Sequence, residues 1–359
     1  MEPQLPSLDQ AVVVGSLATV VGEVPQINSE ILLRDRIGHW RVRWNIGRDR
    51  FTVEPGLYAL GRPDNQSPVL VTANYKLTFD LLRASLPGRD LWILVLDTKG
   101  INVWCAAGKG TFGTVELCDR IEISRLAEVV GHRRLLLPQL GAPGVAAGEI
   151  KKHSGFRVTY GPVMAHDLPA FLDDPQALNP VMRRKSFPLS ERLVLVPVEL
   201  VQGLRQVLPL VLLLMLVTAF FAPGSFTEGL LGPGLILLAF ALSGLSAGTI
   251  LTPLLLPWLP GRAFSVNGLW AGLLLLAPLC SYYLPVLGND WAGRLAIGGL
   301  TVTGLALASW YGMNFTGAST YSSRSGVRQE MLRAIPLQAG GVLLGVVGWF
   351  VAQWLKRGG

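Results

Sequence analysis

The sequence predicts an α/β, Rossmann-like domain followed by an all-α transmembrane domain of about five helices. Three observations predict it. Of 31 basic and 24 acidic side chains, only eight lie between 206 and 355: Glu228, Arg262, Asp290, Arg294, Arg324, Arg328, Glu330 and Arg333. Half of the 359 residues are apolar and 15% are charged, against roughly 25% in an ordinary soluble chain. In the front half, short apolar runs alternate with helix and turn signals, the pattern of a sheet covered by helices. These features exclude a disordered chain and argue against an ordinary soluble enzyme. They divide the chain into a domain at 1–190, a basic juxtamembrane linker at 191–205 and a membrane domain at 206–355.

Taken in chain order, Trp40, Arg41, Arg43 and Trp44 alternate like an exposed strand whose basic face suits a phosphate, lipid or a partner. Residues 69–72 end a strand, and 76–83 read as an amphipathic helix closed by Pro87-Gly88. The run 91–96 is wholly apolar and bounded by Arg89-Asp90 and Asp97, as expected of a buried parallel strand. Residues 133–137 and 156–160 are further strands. Open sheets of this kind bind ligands beyond the carboxyl ends of their strands, which directs attention to loops 72–76, 97–113, 139–144 and 160–162.

The second of these loops carries Asn102, Val103, Trp104, Cys105, Ala106, Ala107, Gly108, Lys109 and Gly110. Taken alone, a cysteine between Trp and Ala is usually a small buried hydrophobe. A phosphate-binding P-loop is rejected, because Val103 stands where its first glycine belongs and Gly110 replaces the Ser or Thr that would hold magnesium. There remains a thiol followed by small residues and one lysine, a segment able to lie flat against a large planar ligand.

Apolar runs at about 206–222, 235–256, 268–288, 293–312 and 334–355 are long enough to cross a bilayer. The lysine and arginine bias places the front half in the cytoplasm and the chain in the inner membrane, with Arg262, Arg324, Arg328 and Arg333 on the inner loops. The first twenty residues lack the features of a signal peptide. The spans hold almost no ionisable side chain, which speaks against a transporter with a regulatory front domain. Gly244 to Gly248 and Gly341 to Gly345 read as packing faces. The hydrolase-like Gly-Leu-Ser-Ala-Gly at 244–248 lies in mid-span, without the strand-turn-helix it needs. The net charge of +7 gathers at 34–50 and 183–205, where anionic lipid explains it better than nucleic acid. Three cysteines build no disulfide framework, and the four histidines lack zinc-site spacing. Cys118 and Cys280 read as structural.

Residues 102–109 match, position by position, the signature Asn-Val/Ile-Trp-Cys-Ala-Ala/Gly-Gly-Lys of the HgcA family, the corrinoid proteins of microbial mercury methylation. The likeness extends to Val71-Thr72-Ala73-Asn74-Tyr75-Lys76-Leu77-Thr78-Phe79-Asp80 and to a polar front half followed by about five spans. The chain thus resembles that family over nearly its whole length. Its front half is also similar to the corrinoid-binding domain of the corrinoid iron–sulfur protein of acetyl-CoA synthesis, a family that does not place cysteine here.

The resemblance implies a corrinoid cofactor of the cobalamin type, with Cys105 on a cap helix as lower axial cobalt ligand. It implies a methyltransferase that passes a methyl group, as a carbanion equivalent, from methyl-cobalt to Hg(II). The residue types suit this chemistry, since a thiolate is a soft, strongly donating ligand that a metal holds deprotonated. Axial ligation is also the lever by which proteins tune macrocyclic metals. Ala106, Ala107, Gly108 and Gly110 would let backbone approach the ring, while Asn102 and Trp104, with Val103 between them, would fix the cap. Lys109 would meet a corrin amide or the nucleotide-tail phosphate, or be solvated. Thr72, Asn74, Gln139, Gly141, Tyr160 and Gly161, on the strand-end loops, are expected in the cofactor pocket. Three cysteines cannot hold a cluster that takes four thiolates, so a separate electron donor is needed. The resemblance supplies a small ferredoxin-like partner with two 4Fe–4S clusters, and a C1 methyl donor such as methylated folate or its carrier protein. The rival reading is a corrinoid methyl carrier of folate-linked C1 metabolism with no mercury role.

Overall fold

Apolar runs of the front half build a seven-stranded mixed sheet with helices on both faces, in a computed structural model that describes residues 3–317 and 324–358. The described residues divide into two compact units that part between Lys185 and Ser186, Arg43–Asn45 grouping with the second. The first unit runs β1 (Gly15–Thr19), β2 (Gly22–Ile27), α1 (Leu33–Arg43), β3 (Gly56–Leu60), β4 (Val69–Ala73), α2 (Lys76–Ala84) and β5 (Leu91–Leu96). It continues through α3 (Val103–Lys109), α4 (Thr114–Ile123), α5 (Leu126–Val129), β6 (Arg134–Leu137), α6 (Ala147–Ser154), β7 (Arg157–Tyr160) and α7 (Leu168–Asp173).

All six residues of β5 are buried, and they alternate between faces. Leu91, Ile93 and Val95 join a core with Phe79 and Leu82 of α2. Trp92, Leu94 and Leu96 join another with Leu117 and Ile121 of α4.

The strand order is β1-β2-β3-β5-β4-β6-β7. Strands β5, β4, β6 and β7 are mutually parallel, whereas β3 runs antiparallel to β5 and β1 pairs with β2 as a hairpin. The Rossmann-like expectation therefore describes only the parallel block of a mixed sheet. Residues 40–44 are not a strand: 40–43 close α1, whose buried Asp35 and Val42 stand seven apart, two helical turns, and Trp44 lies in the turn after it. Five alternating residues were too short a sample to separate the two periods. From β4 the chain crosses through α2 to β5 on one side, and from β6 through α6 to β7 on the other. Connections leaving in opposite directions open a crevice beyond the carboxyl ends of β4 and β6, the place where open sheets take ligands.

In the second unit, among the described residues, five helices are long and apolar enough to cross a membrane. They are α8 (Leu189–Phe221), the composite Phe226–Leu255, α12 (Phe264–Leu287), α13 (Trp291–Asn314) and α14 (Arg324–Gly358). The composite joins α9 (Phe226–Gly229), α10 (Leu235–Ser246) and α11 (Thr252–Leu255) through single π turns. Residues 191–205, expected as a linker, are helical, because Glu191, Arg192, Glu199 and Arg205 interrupt the apolar run without stopping a helix. Arg192 is buried, and its guanidinium donates to the carbonyls of Pro253 (2.8 Å) and Leu254 (2.9 Å), a cation on the last turn of α11.

The small-residue faces do pack helices. A Cβ added to Gly244 would lie 2.4 Å from the carbonyl oxygen of Gly304, and one added to Gly345 would lie 2.4 Å from that of Gly299. Ser246 sits within this helical span and forms no nucleophile elbow. Cys280 Sγ lies 2.9 Å from Thr301 Oγ1.

Candidate functional site

Asn74 follows β4 and is buried. Its Oδ1 accepts the N–H groups of Thr98 (3.1 Å) and Gly100 (3.0 Å), and its Nδ2 donates to Asp97 Oδ1 (3.3 Å). One side chain thereby pins the loop after β5 to the end of β4. The loop turns through Lys99 and Gly100, both at positive φ (58° and 71°), and the Thr98 hydroxyl donates to Ile101 O at 2.6 Å. Asp97 is anchored too: burial opposes its charge, but hydrogen bonds and charge from Lys99 outweigh that and hold the carboxyl below its ordinary range.

This loop delivers α3. Asn102 caps it, its Oδ1 accepting the Cys105 N–H at 2.9 Å, and Gly110 closes it in the left-handed conformation (φ 85°). Helical spacing divides the seven residues into two faces. Val103, Ala106 and Ala107 are buried in the core shared with Val71, Ala73 and Leu96. Cys105 is half-buried, and Gly108 and Lys109, three and four residues on, are exposed. The helix packs on β4 and on the turn Gln139–Gly141, so it lies at the crevice between β4 and β6.

Close contacts fix it there. A Cβ on Gly144 would meet Phe112 O at 2.1 Å and Ala107 Cα at 3.0 Å, and one on Gly141 would meet the Phe112 ring at 2.6 Å. Gly141 thus makes room for Phe112. Gly144 and Phe112 were missed in the sequence, since nothing local marks them.

The predicted residues therefore separate. Cys105, Gly108 and Lys109 share the outward face of α3, with half-buried Trp104 beside them. Ala106 and Ala107 turn inward, against the expectation that they lie along a ring. Thr72 is buried within β4, and Gln139 is half-buried in its turn. The Tyr160 hydroxyl donates to Val145 O at 2.8 Å and burial pushes its pKa up, while Gly161 N–H donates to Leu137 O at 2.9 Å. Burial, then the charges of Asp119 and Glu149, push the Cys118 thiol up, which disfavours its thiolate.

A second polar cluster, unseen in the sequence, sits on the opposite face of the sheet. Lys76 Nζ bridges Asp35 (2.7 Å) and Asp80 (2.5 Å), Arg83 bonds Asp80 (2.8 Å) and Asp35 (3.0 Å), and His39 Nε2 lies 2.8 Å from Asp80. Burial opposes charge on Asp80, but hydrogen bonds from His39 and Lys76 and the Lys76 and Arg83 charges win and lower its pKa; Lys76 does the same for Asp35. The pairs Lys76/Asp80 and Asp80/Arg83, four and three apart on α2, were legible signals.

The outward face of α3 suits a broad planar cofactor: a soft donor and a lysine, separated on the surface by a glycine. A Cβ on Gly110 would meet nothing within 4 Å, and Thr111 Oγ1 is buried without a hydrogen-bond partner among the described residues. The donor set fits a corrinoid held through cobalt by Cys105.

Residues 44–172 match the family described as CO dehydrogenase/acetyl-CoA synthase delta subunit. Curated relatives include the gamma subunits of the acetyl-CoA decarbonylase/synthase complex of Methanopyrus kandleri (32% identical, 40% of this chain, 33% of the relative) and Methanothermobacter thermautotrophicus (35%, 34% and 26%). That of Archaeoglobus fulgidus is 33% identical over 37% of this chain and 29% of its own length. The chain thus spans about a third or less of the relatives it matches. The matched stretch runs from before β3 into α7 and includes α3. The front unit is similar to a corrinoid-binding family, and a corrinoid is the cofactor of that family, as the motif predicts.

Proposed function

We propose that this chain is a membrane-anchored, corrinoid-dependent methyltransferase that methylates Hg(II), with Cys105 as the lower axial ligand of cobalt. The observation that carries the reading is the placement of Cys105: a half-buried thiol on the outward face of a capped helix, at the crevice where the parallel strands end. The eight-residue likeness supplies the mercury chemistry. When bound, the corrinoid supplies a cobalt-held methyl group able to leave as a carbanion equivalent.

The residues of this chain have separate duties in that scheme. Cys105 would hold the cobalt through its thiolate, and Asn102 fixes the turn that carries it. Asn74 holds the loop in place, so that α3 is preorganised before the cofactor arrives. Gly108 leaves the surface beside the thiol free of bulk, and Lys109 is placed to meet a corrin amide or a tail phosphate. Hg(II) is a soft electrophile and so would suit a methyl group that leaves as a carbanion equivalent. Each turnover then requires two electrons, for which we assign a ferredoxin-like partner carrying two 4Fe–4S clusters, and a methylated folate or its carrier protein returns the methyl group. The Lys and Arg bias puts the front unit in the cytoplasm and the helices in the inner membrane.

The similarity to acetyl-CoA decarbonylase/synthase subunits favours a second reading, a methyl carrier of folate-linked C1 metabolism. Membranes bearing the full chain, given corrinoid, reductant and a methyl donor, separate the two. Methylmercury should form from Hg(II), and Cys105→Ala should lower its rate by more than about 100-fold, beyond the usual loss on removing an outer-shell group. Methyl transfer to a C1 acceptor with no methylmercury would support the carrier instead.

A further inference from the structure

The helical unit contains a cleft of about 690 Å³ among α12, α13 and α14, with Arg262 and Arg333 on its lining. Chain order places both arginines at one end of the bundle: Arg262 precedes α12, and Arg333 lies in the first turns of α14. Both are exposed, and among the described residues neither has an ion-pair partner. The nearby carboxylate of Glu330 is already engaged, since its Oε1 accepts the Ser265 N–H at 2.6 Å in the first turn of α12. The remaining wall is mostly apolar and includes Leu269, Val302, Leu305 and Leu337. Gln338 donates to Ser309 Oγ at 2.8 Å, leaving its own buried Oε1 without a partner among the described residues.

We propose that this cleft is a binding site for one anionic glycerophospholipid, its phosphodiester held between Arg262 and Arg333 and an acyl chain laid along the apolar wall. Two cations at the mouth of a greasy groove complement such a molecule at both of its ends, and basic pockets between membrane helices recruit acidic headgroups. The free Gln338 carbonyl gives the groove an acceptor that a hydroxyl-bearing glycerol headgroup can satisfy. The proposal needs only that the helices reside in a bilayer, so it stands apart from the reading of Cys105.

Native mass spectrometry of the full chain in mild detergent, with phosphatidylglycerol, phosphatidylcholine or inorganic phosphate as probes, tests it. The wild-type chain should retain one phosphatidylglycerol. Replacing both arginines (Arg262→Gln with Arg333→Gln) should weaken that retention about tenfold, the loss of roughly 1.4 kcal/mol. Val302→Trp, which fills the wall and leaves the charges, should also release the lipid, and it carries the test if the double variant fails to fold. Equal retention of phosphatidylcholine, or phosphatidylglycerol binding untouched by either variant, would overturn the proposal. Displacement of the lipid by millimolar inorganic phosphate would do so too, making the mouth a simple anion site.

Discussion

Residues 71–80 and 102–109 both carry the likeness to corrinoid proteins, yet they spend their polar side chains in opposite directions. In the first stretch, Asn74 and Asp80 are buried, and Lys76, half-buried, bonds to two carboxylates. They tie β4 to the next loop and α2 to α1. In the second stretch the inward positions belong to Val103, Ala106 and Ala107, so Cys105, Gly108 and Lys109 are turned outward. A distinctive motif can therefore mark a scaffold or a reacting surface, and the partners of each side chain tell which.

The largest expected effect breaks the scaffold. Asp80→Ala removes the hub of the buried network and should cost about 3–5 kcal/mol, since it strips partners from buried charges. Urea unfolding followed through hydrogen exchange of β4 and α2 would read it. Cys105→Ala in the same measurement should change stability by no more than about 0.5 kcal/mol, as for a position outside the core. Comparable losses in the two variants would erase the contrast.

Acidification attacks the same network without mutation. Asp35 and Asp80 have lowered pKa values in the folded chain, so the stability they contribute is complete above the ordinary carboxylate pKa of about 4. It is lost as pH falls below that value toward their folded pKa values. Asp80→Asn should flatten this acid limb of the stability profile, and an unchanged limb would remove the network from the account.

A smaller effect sharpens the second stretch. Asn102→Ala should cost about 1 kcal/mol through loss of the helix cap, and Asn102→Asp, which keeps an acceptor, should restore most of it. Corrinoid retention should follow the same order. Retention indifferent to both variants would mean that the turn bearing Cys105 needs no preorganisation.

Much of this was readable in the chain. The central parallel strand β5 announces itself as an unbroken apolar run at 91–96, and the five long apolar helices by their lack of charge. The first three strands were missed because β1 and β2 are half-exposed and glycine-flanked, and β3 dilutes its apolar run with Gly56 and Ala59, residue types depleted in strands. Cys105 stood out by its neighbours, and the two faces of α3 were implicit in the spacing of 103, 106 and 107 against 105, 108 and 109. What no spacing reveals is contact at long range: Asp35 reaches Lys76 and Arg83 across more than forty residues, and Gly144 meets Phe112 only once the sheet has formed.

The central claim is that sulfur reaches cobalt. The most direct measurement is the visible absorption of the full chain reconstituted with a corrinoid, compared with that of Cys105→Ala prepared identically. Loss of thiolate donation should displace the cobalt bands of the variant while the chain stays folded and loaded. Superimposable spectra would contradict the account.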